Sequence, residues 1–170
     1  MVAGIASLVS VPAGLGAAIY MSEYASPRER EFLKPLLEIL AGIPSVVYGL
    51  WAIFVLAPFL RVYVQPPLQT ALGWTPFFKG TATGIVMFTG GLILAIMITP
   101  IITAVVRDIL EAVPVTQREA ALALGATKWE TTKIVLANAS SGIAGAVILG
   151  LGRAIGETMA VTMIIGNRPQ

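Results

Sequence analysis

Pro114-Val-Thr116-Gln117-Arg118-Glu119-Ala120-Ala121-Leu-Ala-Leu124-Gly125-Ala-Thr127-Lys128-Trp129-Glu130-Thr-Thr-Lys133-Ile134-Val-Leu136 is the longest polar-bearing interval lying between two apolar ones. Thr116 followed by Glu119 spells a capping box, in which hydroxyl and carboxylate each satisfy an orphan amide at a helix start. Ala120 to Leu124 are strong helix formers, and Gly125 supplies the left-handed residue that ends the helix. Thr127 with Glu130 repeats the box and opens a second helix leading into the next apolar segment. The stretch from about 114 to 136 therefore predicts helix, glycine turn, helix, set between two membrane spans.

Outward from that stretch, composition sets the class. Hydrophobic residues make up 56% of the chain and charged residues 12%, against about 25% charge in soluble domains. Mean hydropathy is +0.85. The chain reads as an all-α polytopic membrane protein. There is no Cys, hence no disulfide framework or thiolate metal site. There is no His, the commonest general base and metal ligand. No Gly-rich phosphate loop of the Walker A type occurs, so ATP is not expected on this chain. No catalytic residue, no metal site and no nucleic-acid partner are expected.

Four apolar intervals approach the ~20 residues that a bilayer-spanning helix needs: about 1–20, 36–64, 80–106 and 141–165, within a single transmembrane domain over 1–170. Pro44 and Pro58 fall inside the second and Pro100 interrupts the third, which neighbouring helices can tolerate by satisfying the freed carbonyls. Pro44 reads as a kink, and Ser45 as a hydroxyl bonded to a backbone carbonyl, with pore lining the alternative for both. Ser26-Pro27-Arg28-Glu29 marks a helix start, with Pro at the first helical position. The charges from Arg28 to Glu31 read as a solvated loop face. If the Thr116 loop is cytosolic, Arg28, Arg30, Lys34, Arg107, Arg118, Lys128 and Lys133 share its side. Arg61, Lys79 and Arg168 lie opposite, an asymmetry that agrees with the positive-inside rule. Trp74, Phe77 and Phe78 fit an aromatic belt in contact with lipid headgroups.

Gly150-Leu-Gly152-Arg153-Ala-Ile-Gly156-Glu157-Thr158 is the second informative stretch. Arg153 falls near the middle of the fourth interval, where a charge costs about 3 kcal/mol on insertion scales. In a continuous helix Glu157 shares its face. Gly150, Gly152 and Gly156 leave room for a close neighbour helix. One reading makes Arg153 part of an anion pathway, because guanidinium matches phosphate oxygens bidentately. Glu157 then holds Arg153 in place or accepts a hydrogen bond from a protonated phosphate. The other reading is a buried ion pair between helices with no substrate contact. Side-chain chemistry alone leaves both open. Because the two charges cancel, an anion route needs further cations from a partner.

Two resemblances sharpen these readings. Glu119-Ala120-Ala121 with Gly125, and Ile134 and Leu136 downstream, resembles the EAA loop of ABC-importer permeases. That resemblance implies a cytosolic loop docked into a groove on an ATPase subunit through Glu119, Ala120, Ala121, Gly125 and Trp129. Trp129 can equally anchor at the lipid interface. Gly42-Ile-Pro44-Ser45-Val-Val-Tyr48-Gly49-Leu-Trp51, Gly152-Arg153-Ala-Ile-Gly156-Glu157-Thr158-Met159-Ala160-Val161 and Ser22-Glu23-Tyr24-Ala25 are similar to phosphate-importer permeases of the Pst system. They look like its PstC-type subunit more than its PstA-type one.

The resemblance implies four helices of a six-span ABC permease of MetI-like fold. Met1 opens a span without the basic leader of a signal peptide, and one span follows the loop where the family commonly has two. The chain is thus expected to be an internal portion of a longer protein. Also implied are a PstA-type second permease subunit, two ATPase subunits carrying ATP and magnesium, and an extracytoplasmic phosphate-binding protein. Arg153 and Glu157 become pathway charges in a multi-pass protein of a bacterial or archaeal cytoplasmic (inner) membrane. Another oxyanion such as sulfate or molybdate, or a passive anion channel, are the rival functions.

Overall fold

The computed structural model describes residues 2–64 and 83–165, and the regular structure of those residues is helical throughout. Helix α1 (Val2–Ile19) is prolonged by a π-helical turn, Tyr20–Tyr24. It is followed by α2 (Pro27–Gly42) and by α3 (Ser45–Trp51), which alternating π and α turns extend to Val64. Then come α4 (Thr83–Glu111), α5 (Val115–Ala123), α6 (Lys128–Gly156) and α7 (Met159–Ile165). Among the described residues four segments are long and apolar enough to cross a membrane: Val2–Tyr24, Ser45–Val64, Phe88–Glu111 and Lys128–Gly156. The aromatic belt at Trp74, Phe77 and Phe78, together with Lys79 and Arg168, lies outside the described residues, as does the side chain of Arg61.

Local chemistry explains where these bounds depart from the apolar runs. The second span starts at Ser45, not near Leu36. Ile43 and Pro44 are both extended, with ψ of 130° and 138°, so α2 stops at Gly42. Pro44 has no N–H to donate and disfavours helical geometry in the residue before it. It therefore breaks the helix instead of kinking it. Helix α2 buries none of its residues. Helix α4, the third span, passes through Pro100 uninterrupted and continues to Glu111, so Arg107 and Asp108 are helical. The fourth span, α6, begins at Lys128, well before Ser141, because Thr127 caps it there. The second arm of the hairpin is thus the first part of the span. At 29 residues α6 is about 43 Å long, against a hydrocarbon core of about 30 Å, so its polar start projects from the apolar layer.

Helix α4 is the centre of the bundle. Of its spanning window 67% is buried, against 22%, 29% and 22% for the other three. It packs on α1, α2, α6 and α7. Small residues allow the closest approaches, as they do wherever helices pack without a hydrophobic drive from water. A methyl on Gly91 would come within 2.7 Å of Ile5 Cγ2, and one on Gly14 within 2.9 Å of Ile102 Cγ2. These contacts advance along both helices together, so α1 and α4 run parallel and finish at the same end. Gly150 faces Ile102 and Ile98 while Gly142 faces Ile109, so α6 runs antiparallel to α4. Ile93, Leu94, Ile98, Ile102, Val106 and Leu110 form the interior.

Candidate functional site

Where α1 and α4 end, α5 forms the first arm of the hairpin. It begins at Val115, directly after Pro114 (φ −56°, ψ 136°), and no side chain caps it. The capping box expected at Thr116 and Glu119 is therefore not formed. Pro114 places the helix start two residues too early for the Thr116 hydroxyl to reach an orphan amide. The stop is as expected. Gly125 has φ 83°, with Gly125 N–H donating to Leu122 O at 2.9 Å and Ala126 N–H to Ala121 O at 3.1 Å. These are the two bonds of a Schellman motif. The second box does form: Glu130 N–H donates to Thr127 Oγ1 at 3.3 Å and Thr127 N–H to Glu130 Oε2 at 2.7 Å. The same holds at Ser26 and Glu29, with Pro27 opening α2.

The hairpin has two faces. Glu119, Ala120, Leu122, Leu124 and Gly125 are exposed, while Ala121 is buried against the bundle. Trp129 is 54% exposed, with Lys133 Nζ 5.5 Å from its ring centroid. Polar contacts tie the hairpin to the bundle and its two arms to each other. Asn138 Nδ2 donates to Gln117 Oε1 at 2.7 Å, and Lys128 Nζ lies 4.8 Å from the Tyr24 ring centroid. Arg118 Nη2 donates to Glu23 Oε1 at 2.8 Å and also to Leu110 O at 2.8 Å, while Nη1 donates to Val113 O at 2.8 Å. No local pattern announces this contact, since Glu23 and Arg118 are 95 residues apart. One turn before the end of α4, Arg107 is buried and pairs with Asp108 at 2.7 Å.

The second candidate region differs from the continuous helix its spacing implied. Helix α6 ends at Gly156, and Glu157 is extended (φ −78°, ψ 110°). Glu157 therefore leaves the helical face of Arg153. Its Oε1 accepts from Ala160 N–H at 3.3 Å, at the start of α7. Arg153 is exposed, and among the described residues neither ion pair includes it: these are Arg107–Asp108 and Arg118–Glu23. A buried Arg153–Glu157 pair is thus not formed.

Depth follows from packing. Gly150 lies against Ile102, just past the middle of Phe88–Glu111. Arg153 is three residues further, about 4.5 Å along the axis, and so sits near mid-span. The three glycines divide: a methyl on Gly150 would clash with Ile102 at 2.7 Å, whereas Gly152 and Gly156 meet nothing within 4 Å. Helix α3 packs on α7, with Gly49 against Met163 and Ala160, so the two glycine-bearing motifs meet in space. Tyr48 Oη donates to Leu40 O at 2.8 Å across the break at Pro44. The hydrogen bond expected from Ser45 to a backbone carbonyl is absent among the described residues.

Among the described residues, four apolar segments, a polar hairpin between the last two and an unpaired arginine near mid-span mark a multi-pass membrane protein. The chain belongs to the family of binding-protein-dependent transport system inner membrane components, whose model matches residues 10–169. It is similar to the phosphate transport system permease protein PstC of Haemophilus influenzae, at 45% identity over 97% of this chain and 54% of that protein. The proteins of the same name from Pasteurella multocida and Mesorhizobium japonicum are 44% and 45% identical over 96% of this chain, and over 52% and 51% of their own lengths. The chain spans about half the length of these curated relatives.

Proposed function

We propose that this chain forms part of the permease subunit of an ATP-binding-cassette importer that carries inorganic phosphate across a bacterial or archaeal cytoplasmic membrane. It acts as a transport subunit and not as an enzyme. ATP and magnesium sit on two partner ATPase subunits, and a second, PstA-type permease subunit completes the pore. An extracytoplasmic binding protein delivers phosphate. The likeness to proteins named as phosphate permeases supports the substrate.

The observation that carries the proposal is Arg153: a guanidinium near mid-span, exposed and without an ion-pair partner among the described residues. A charge at that depth facing lipid is costly, so its surroundings must be protein or a watered cavity. With Glu157 drawn to the start of α7, Arg153 offers its full charge and its planar fork to an oxyanion. Glu157 stands at the helix break, where its carboxylate accepts from a protonated phosphate. The hairpin docks on the ATPase through Glu119, Ala120, Gly125 and Trp129, with Ala121 packing the helix beneath them. Closure of the ATPases then shifts the spans between outward and inward access. Such a shift requires different interaction free energies in the two states.

The test is ATP-dependent uptake of labelled phosphate by proteoliposomes holding the complete complex, with binding protein outside. Arg153→Gln is expected to abolish uptake and leave the complex assembled. Unchanged uptake would remove Arg153 from the pathway. Competition by excess sulfate or molybdate would replace phosphate by a broader oxyanion substrate, and uptake without ATP would make the assembly a channel.

A further inference from the structure

We infer that Arg118 and Glu23 form the joint that transmits hairpin movement to the membrane spans, and are positioning residues for transport. Three observations support this joint. First, the contact is dense. Glu23 Oε1 accepts from Arg118 Nε at 3.3 Å, from Arg118 Nη2 at 2.8 Å and from Ser22 Oγ at 3.2 Å. Arg118 bonds at the same time to the carbonyls of Leu110 and Val113, at the end of α4 and just beyond. One guanidinium thus holds α5 to α1 and to α4 together.

Second, the pair is largely withdrawn from solvent, with 19% of the Arg118 side chain and 10% of the Glu23 side chain accessible. Removing one partner leaves the other charge stranded, which is far costlier than loss of a surface pair. Third, Glu23 sits in the π-helical turn Tyr20–Tyr24. Turns of that kind are rare and occur frequently at functional sites. The π turn of α1 is also held from the other side, by Arg30, whose guanidinium donates to the carbonyls of Ser22 and Ala25.

Packing extends the joint to mid-span. Helices α1 and α4 meet at Gly14 and Ile102, and Ile102 also meets Gly150, three residues from Arg153. A load on Arg118 therefore bears on the pair α1 and α4, and through Ile102 on the helix carrying Arg153. Contiguity alone does not establish coupling, so the joint is defined by its energetic test. The joint rests on the proposal that the hairpin docks on an ATPase.

The experiment uses the complete complex in proteoliposomes and measures ATP hydrolysed per phosphate taken up, alongside a cross-link that reports docking. This segment has no Cys, so Leu124→Cys, at a hairpin residue 89% exposed, takes a thiol cross-linker to the ATPase subunit in an otherwise Cys-free complex. Glu23→Gln is nearly isosteric and leaves both carbonyl bonds of Arg118 in place. It is expected to raise the ATP-to-phosphate ratio about tenfold, within the usual range of site-to-site couplings, while the cross-link persists. Arg118→Lys is expected to raise it similarly, since one ammonium cannot replace the fork. Glu23→Gln with Arg118→Lys should be no worse than either alone, because both break one contact. An unchanged ratio with the cross-link intact, or additive losses, would overturn the joint. Loss of the cross-link in the parent complex would instead overturn the docking on which it rests.

Discussion

At Gly125 the backbone has φ 83°, and a Cβ there would meet nothing within 4 Å. The cost of replacing it is therefore conformational, about 1–2 kcal/mol for an L-residue in the left-handed region and more for a β-branched one. Gly125→Val is expected to lose phosphate uptake by opening the Schellman turn, whereas Gly125→Asn, which tolerates that region, retains most of it. Uptake and hydrolysis measured together check this. Normal coupling in the Val variant would show that the turn is not needed for docking. Glu29 allows a pH test outside the spans. The Ser26 backbone N–H, then the Ser26 hydroxyl and the Tyr20 phenol, hold its carboxyl below the ordinary glutamate range. A depressed carboxyl stabilises the fold above its unfolded value of about 4.3 and loses that effect as pH falls through the lowered value. Amide-exchange protection at Ser26, taken relative to the intrinsic rate at each pH, is expected to fall in that acid window, and Glu29→Gln to remove this pH dependence. Both glutamates of the formed boxes, Glu29 and Glu130, were legible from three-residue spacing. Thr116 with Glu119 has the same spacing and forms no box, because Pro114 sets the helix start first.

At the scale of elements, glycine position decides what a substitution does. A methyl on Gly91 would sit 2.7 Å from Ile5 Cγ2 and 2.8 Å from Ile5 Cβ, so α1 and α4 must separate to admit it. Gly91→Ala is expected to destabilise the bundle by about 1–3 kcal/mol, as overpacking does. Gly152→Ala, with open space at its Cα, is expected to hold the chain's own stability or raise it by up to about 1 kcal/mol through helix propensity. Unfolding midpoints in detergent for the two variants test the contrast, and equal midpoints would refute the packing. The sequence shows that both positions are Gly in apolar helices. Which one touches a neighbour depends on the rotation of each helix about its axis, a property of the packed bundle. The same holds for Pro44 and Pro100. Both interrupt apolar runs, yet α4 continues through one while the chain breaks at the other.

At the scale of the whole molecule, Arg153 carries the transport prediction. Arg153→Gln removes the charge and Arg153→Lys keeps the charge but not the fork, so uptake should be lost in the first and reduced in the second. The sequence by itself determined the membrane class, the four apolar segments, the glycine turn and two of the three expected capping boxes. Those features act within one turn or by composition, so they need no knowledge of distant partners. Only the tertiary structure decided that α4 is central, that Glu157 leaves the face of Arg153, and that Arg118 grips Glu23 from 95 residues away. The physical reason is range. Helix propensity and capping operate over three or four residues, whereas an ion pair between distant elements exists only once packing has set their separation and rotation.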